Sequence, residues 1–179
     1  MSTYSNYALR GVIAGLVTGV ITSVIYLLLI LPIMTELVEV IVHLRIPQNI
    51  PTKELKELIS NIEGMINNLT PIVPITQIIQ QLILGSLFGV LQGFLTLRLK
   101  LKELNSALIT GLTYMFILNL IPLILIQNLT PELMELLVKH LGFNTYLILT
   151  SPGITFTVSL IILSISKKFW SKLMTPKQF

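Results

Sequence analysis

Both histidines of this chain close a short acidic segment. In "ELVEVIVH", Glu36, Glu39 and His43 stand at offsets 0, 3 and 7, which is one face of a helix. "ELMELLVKH" nearly repeats the pattern with Glu132, Glu135 and His140, but its histidine is displaced by one residue and leaves that face. Carboxylates and an imidazole on one face are a donor set for a divalent cation. The plainer reading is two acidic helix faces turned to water. Other chemistry is excluded by residue type. With no Cys there is no disulfide, thiolate nucleophile or thiol metal site. With no Asp there is no Ser-His-Asp triad, aspartyl-phosphate or EF-hand loop of the usual kind. No residue is nominated as catalytic, and no cofactor is expected.

The elements that carry these groups are set by charge segregation. The chain of 179 residues is 53% hydrophobic and 11% charged, against about 25% charged in a soluble domain. No Lys, Arg, Asp, Glu or His falls in 11–34, 75–97, 107–126 or 143–166. About 20 residues of helix cross a hydrocarbon core of ~30 Å, so all four windows are read as transmembrane helices. The first is too long for the apolar region of a signal peptide and is read as a retained anchor. The expected fold is an all-α, polytopic integral membrane protein: one membrane domain over 1–179, four spans, and two short amphipathic helices in the outer connections. Those helices are predicted over about 52–68, where Leu55, Leu58, Ile59, Ile62, Ile66 and Leu69 form one stripe, and over 131–141. Thr130 suits the N-cap of the second and Gly142 its stop. Both should lie on the outer surface or cap the bundle.

Basic residues orient the spans. The N-terminus, the connection 98–106 and the C-terminus hold eight Lys or Arg and one acid; the connections 35–74 and 127–142 hold four and seven. The positive-inside rule then puts the chain in the cell membrane with both termini cytoplasmic. Asn68-Leu69-Thr70 and Asn128-Leu129-Thr130 match the glycosylation pattern on the outer side, each directly before a proline. The net charge of +4 is topological in origin, and nucleic acid is rejected as a partner.

Two glycine ladders stand out, Gly11, Gly15 and Gly19 in the first span and Gly85, Gly89 and Gly93 in the second. Small residues four apart permit close helix packing in lipid. Both ladders fall in the inner half of the membrane, and the spans run oppositely. A glycine-zipper hairpin is expected, pairing Gly11 with Gly93, Gly15 with Gly89 and Gly19 with Gly85. A dimer face is the rival use of a ladder.

The polar residues of the spans are read mainly as interhelical hydrogen-bonding groups. Gln92 and Asn119 should face the interior. Pro122 interrupts span three, and Ser151-Pro152-Gly153 is the better candidate for a real break, in span four. The favoured reading there is a kink in which the Thr150 and Ser151 hydroxyls or Asn119 serve the freed carbonyls, against a gap filled by water. With Thr150 these residues outline a possible polar path. No charged group lies in any span, which lowers proton-coupled and voltage-sensing functions.

Two functions follow as expectations. The first is a non-enzymatic scaffold or assembly subunit of a membrane complex. The second is a small transporter, or a transporter's substrate-binding subunit, with a path near the broken spans. The partners expected are the bilayer and either further copies of the chain or other membrane subunits. An intramembrane enzyme is disfavoured, because both histidines lie outside the spans.

Overall fold

A computed structural model describes residues 3–45 and 52–166. The described residues are helical throughout, joined by short turns and without a strand. Eight α-helices follow in order: α1 (Thr3–Ile25), α2 (Met34–Arg45), α3 (Thr52–Leu69), α4 (Val73–Leu97), α5 (Glu103–Met115), α6 (Ile121–Leu129), α7 (Pro131–Leu141) and α8 (Thr145–Ile165). Four helical runs are long and apolar enough to cross a membrane: Tyr4–Val42, Val73–Leu97, Glu103–Leu129 and Pro131–Ile165.

The first run is longer than the uncharged window 11–34. Helix continues through Glu36 and Glu39, which share a face as their spacing implies, to Arg45. Glu36 and Glu39 end the stretch that tolerates lipid, yet a charge does not oppose helical dihedrals. At 39 residues and ~1.5 Å per residue, the run approaches 60 Å, about twice the hydrocarbon thickness.

Two prolines are passed by the same device. A π-turn at Tyr26–Ile30 precedes Pro32, and a second at Phe116–Leu120 precedes Pro122. In each, the next N–H reaches a carbonyl five residues back, Leu31 to Tyr26 and Ile121 to Phe116. The wider ring draws the carbonyl four residues before the proline away from the pyrrolidine, so the helix bends rather than ends.

The spans form an antiparallel ring: α1 packs extensively on α4, α5 on α8, α1 on α8, and α4 on α5. Ala14, Ala107, Tyr114, Phe156 and Leu160 are buried where all four meet, with Leu84 and Phe88 against them. Tyr114 stacks on Phe156 at 4.1 Å and meets Phe88 edge-on at 5.1 Å, both favourable aromatic geometries. A second cluster, Ile33, Leu37 and Leu137, closes the end opposite the N-terminus. There α7 folds over α2 as a lid, while α3 packs beside α2 with Met65 and Leu69 exposed.

One residue, Thr130, separates α6 from α7. It stands at the expected N-cap position, but its hydroxyl does not cap α7; it donates back to the Ile126 carbonyl at 3.1 Å. The Ile126 carbonyl also accepts the Thr130 N–H at 3.0 Å, so backbone and hydroxyl of Thr130 both close the end of α6. Gly142, with φ +66°, ends α7 as expected.

Candidate functional site

The six ladder glycines all lie at or beside the α1–α4 contact. A methyl group placed on Gly11 would fall 2.7 Å from Gly89 Cα and still closer to the Gly85 carbonyl oxygen. One on Gly15 would collide with the Gln81 carbonyl, and one on Gly89 with that of Tyr7. The backbones therefore touch where no side chain intervenes. The pairing differs from the expected register by four to eight residues, one to two helical turns. Gly11 faces Gly85 and Gly89, Gly15 faces Gly85 and Gln81, and Gly19 faces Ile78. Gly93 meets the rings of Tyr4 and Tyr7. The shift lets these aromatic side chains cover the last glycine, which a pure glycine-to-glycine match would leave as a void.

Beyond Gly93, all four spans contribute polar groups to one end of the bundle. Arg10 is almost fully buried; its Nη1 lies 3.5 Å from Glu103 Oε2, and its guanidinium sits 5.0 Å from the centre of the Tyr7 ring. Tyr7 donates to Glu103 Oε1 at 3.3 Å. The Thr96 and Ser106 hydroxyls are 2.6 Å apart. Gln92, fully buried, donates from Nε2 to Ser164 Oγ at 2.7 Å, and Ser164 donates to the Leu160 carbonyl at 2.8 Å. This cluster was missed in the sequence, where Arg10 and Glu103 entered only as loop charges. The available signal was that opposite charges stand at the first positions of two spans that start from the same side.

Interhelical hydrogen bonding is less general than expected. Thr18, Thr113, Thr157 and Ser164 donate to carbonyls of their own helices, four residues back. Among the described residues, the bonds between spans besides those of Tyr7 and Arg10 to Glu103 include Ser23 to Pro74 O, Gln92 to Ser164, Thr96 with Ser106, Tyr114 to Gln81, and Asn119 to Leu149 O. A hydroxyl reaches its own preceding turn without any cost in helix spacing.

At Ser151-Pro152-Gly153, the candidate break, α8 runs unbroken from Thr145 to Ile165, with the hydroxyls and the Asn119 amide that the kink reading named. Pro152 removes the N–H that would serve the Ile148 carbonyl. Ser151 Oγ donates to that carbonyl at 2.7 Å. Thr150 donates to Tyr146 O at 2.7 Å, and Asn119 Nδ2 reaches Leu149 O at 3.2 Å from the neighbouring span. Gly153 serves packing instead: a Cβ there would lie 2.5 Å from Asn119 Oδ1 and 2.6 Å from Met115 Cγ. Of the outlined path, Asn119, Thr150, Ser151, Pro152 and Gly153 thus share one locality. Gln92 lies apart, beside Ser164 at the other end of α8.

Next to this locality is a cavity of about 140 Å³ between α1, α4 and α8, lined by Thr22, Tyr26, Gln77, Leu149, Ser151 and Pro152 among others. Thr22 Oγ1, Gln77 Oε1 and Asn119 Oδ1 are buried without a hydrogen-bond partner.

The two acidic segments come together in part. His140 Nε2 lies 2.8 Å from Glu36 Oε2 and ties α7 to α2. The His43 side chain lies outside the described residues. Among the described residues no three His or Glu side chains, Glu39, Glu132 and Glu135 included, converge as a metal-ligand set. Comparison of the chain with protein-family models, curated proteins and solved structures finds no match.

Proposed function

We propose that the chain is a multi-pass protein of the cell membrane, with both termini cytoplasmic, that works without catalysis as a scaffold or assembly subunit of a membrane complex. The observation that carries the reading is the closure of the Pro152 gap by the protein's own groups, Ser151 Oγ at 2.7 Å and Asn119 Nδ2 at 3.2 Å. A transport path through span four would use those carbonyls for a solute; here the Ile148 and Leu149 carbonyls accept hydrogen bonds from Ser151 and Asn119. The Arg10–Glu103 ion pair and the Glu36–His140 hydrogen bond also support it, since each links two helices at an end of the bundle.

The second reading, a small transporter, is favoured by the 140 Å³ cavity and by the unpartnered Thr22 and Gln77 oxygens near it. Reconstitution separates the two. Liposomes containing the purified protein should show the same water, urea and glycerol permeability as protein-free liposomes in stopped-flow light scattering. A raised permeability that Thr22→Leu abolishes would replace the scaffold reading with the second.

A further inference from the structure

Each span turns apolar side chains outward, as lipid demands, so an exposed Leu or Ile carries little information. An exposed carboxamide carries more. Gln80 is exposed on α4, seven residues inside it, about 10 Å along the helix at ~1.5 Å per residue. Its side chain makes no hydrogen bond to the described residues. Several other outward polar groups of the spans are satisfied locally. Thr76, Thr113 and Thr150 fold back on their own helices, and Asn128 returns to Ile124 O at 2.8 Å. Ser86, Tyr146, Thr155 and Ser159 are not, but each bears a hydroxyl rather than a carboxamide. Gln127 stands in the last turn of α6, where water is within reach. An unsatisfied amide in hydrocarbon costs several kcal/mol, and so Gln80 calls for a partner from outside the bundle.

Gln80 also heads a seam. Gln80, Ile83, Leu87, Val90, Phe94 and Leu97 follow one another at spacings of three and four, and the five apolar members are 37–62% exposed. That spacing is the a/d repeat of a left-handed helix pair, in which a single polar residue sets the register. The seam lies away from the glycines buried against α1, and a groove of about 440 Å³ runs beside it at Thr76, Ile79, Gln80, Ile83 and Leu84.

We propose that this face of α4 docks, in parallel, on α4 of a second copy of the chain, across a two-fold axis along the membrane normal. The carboxamide points to a second copy because it holds donors and an acceptor in one group and is complementary to itself. A two-fold axis brings like residues together at a and d positions. Gln80 then meets Gln80 of the second copy, and Leu87 meets Leu87. The exposed faces of α1 and α8 offer no carboxamide: Val20, Val24, Val158 and Ile162 are apolar, and the polar residues of the α8 surface, Tyr146, Thr155 and Ser159, bear hydroxyls. The inference rests on the membrane-scaffold reading and names its first partner, but its test does not involve solute flux.

The natural chain has no Cys, so single-cysteine variants report cleanly. In proteoliposomes at low protein density, oxidation should cross-link Ile83→Cys and Leu87→Cys into dimers and leave Val20→Cys and Val158→Cys monomeric. Gln80→Leu should weaken self-association by about three- to thirty-fold, the range for one polar contact between membrane helices. Gln80→Asn, which keeps the carboxamide, should retain it. Förster transfer on vesicle dilution reads the constant. Cross-linking centred on Val20 or Val158, a wild-type monomer at every dilution, or a Gln80→Leu protein that dimerises like wild type would overturn the proposal. So would exclusive cross-linking of the seam to a different protein in native membranes.

Discussion

Replacing Gly11 by alanine tests the α1–α4 contact most directly. The new Cβ would stand 2.7 Å from Gly89 Cα and 2.8 Å from Gly89 N, where ordinary contact begins near 3.4 Å. The helices must part by at least 0.7 Å at that level, the difference between 3.4 and 2.7 Å. The obstacle is backbone, so no rotamer change relieves it. Overpacking of this kind typically costs ~1–3 kcal/mol. Alanine also gains helix propensity, and Gly64 measures that gain alone: nothing lies within 4 Å of a Cβ there. Gly64→Ala should stabilise by about 0.5–1 kcal/mol. At roughly 2–4 °C per kcal/mol for a chain of this size, Gly11→Ala should unfold roughly 2–12 °C below Gly64→Ala. Fluorescence-detected size exclusion after heating in detergent reads both. Gly93→Ala decides the register. Its neighbours are side-chain atoms of Tyr4 and Tyr7 at 3.1–3.2 Å, which can yield, so its melting point should stay within a few degrees of wild type, as ~1 kcal/mol is worth only 2–4 °C. A Gly93→Ala loss as large as that of Gly89→Ala, or a Gly11→Ala gain matching Gly64→Ala, would refute the argument.

Ser151→Ala should destabilise by about 1–3 kcal/mol, since it leaves the Ile148 carbonyl without a donor in an apolar setting. The same change made on a Pro152→Ala background should cost much less, because alanine in place of the proline restores the missing N–H, and a double-mutant cycle by thermal unfolding gives the coupling directly. Single cysteines at Asn61 and Asn105, both exposed and at opposite ends of the bundle, test the orientation. On intact cells an impermeant thiol reagent should label the first and spare the second, and labelling of Asn105→Cys alone would invert the topology. Glu103→Ala removes a counter-charge from the nearly buried Arg10. It should cost about 1–2 kcal/mol, below the 3–5 kcal/mol of a fully buried pair because the Glu103 side chain is one-third exposed; a neutral result in a melting assay would show that the pair carries nothing.

The four apolar runs were legible from residue order alone, because hydrophobic length is a local property and lipid compatibility depends on little else. The stop of α7 at Gly142 was legible for the same reason, through backbone freedom at one position. The glycine ladders announced a close approach, but not which glycine meets which. Register depends on what fills the space beside each small residue, and at Gly93 that is Tyr4 and Tyr7 from another helix. Nor could spacing show that α1 runs on into α2, or that π-turns carry two helices past Pro32 and Pro122. At Pro152 residue order showed that a backbone donor is missing and that Thr150, Ser151 and Asn119 stand ready to replace it. Which carbonyl each one reaches, Tyr146, Ile148 and Leu149 in turn, was fixed only by the fold. The pairings of Arg10 with Glu103 and Glu36 with His140 join residues 93 and 104 positions apart. Contacts at that separation are decided by how helices dock, and docking depends on the shapes of whole faces rather than on any local pattern of residues.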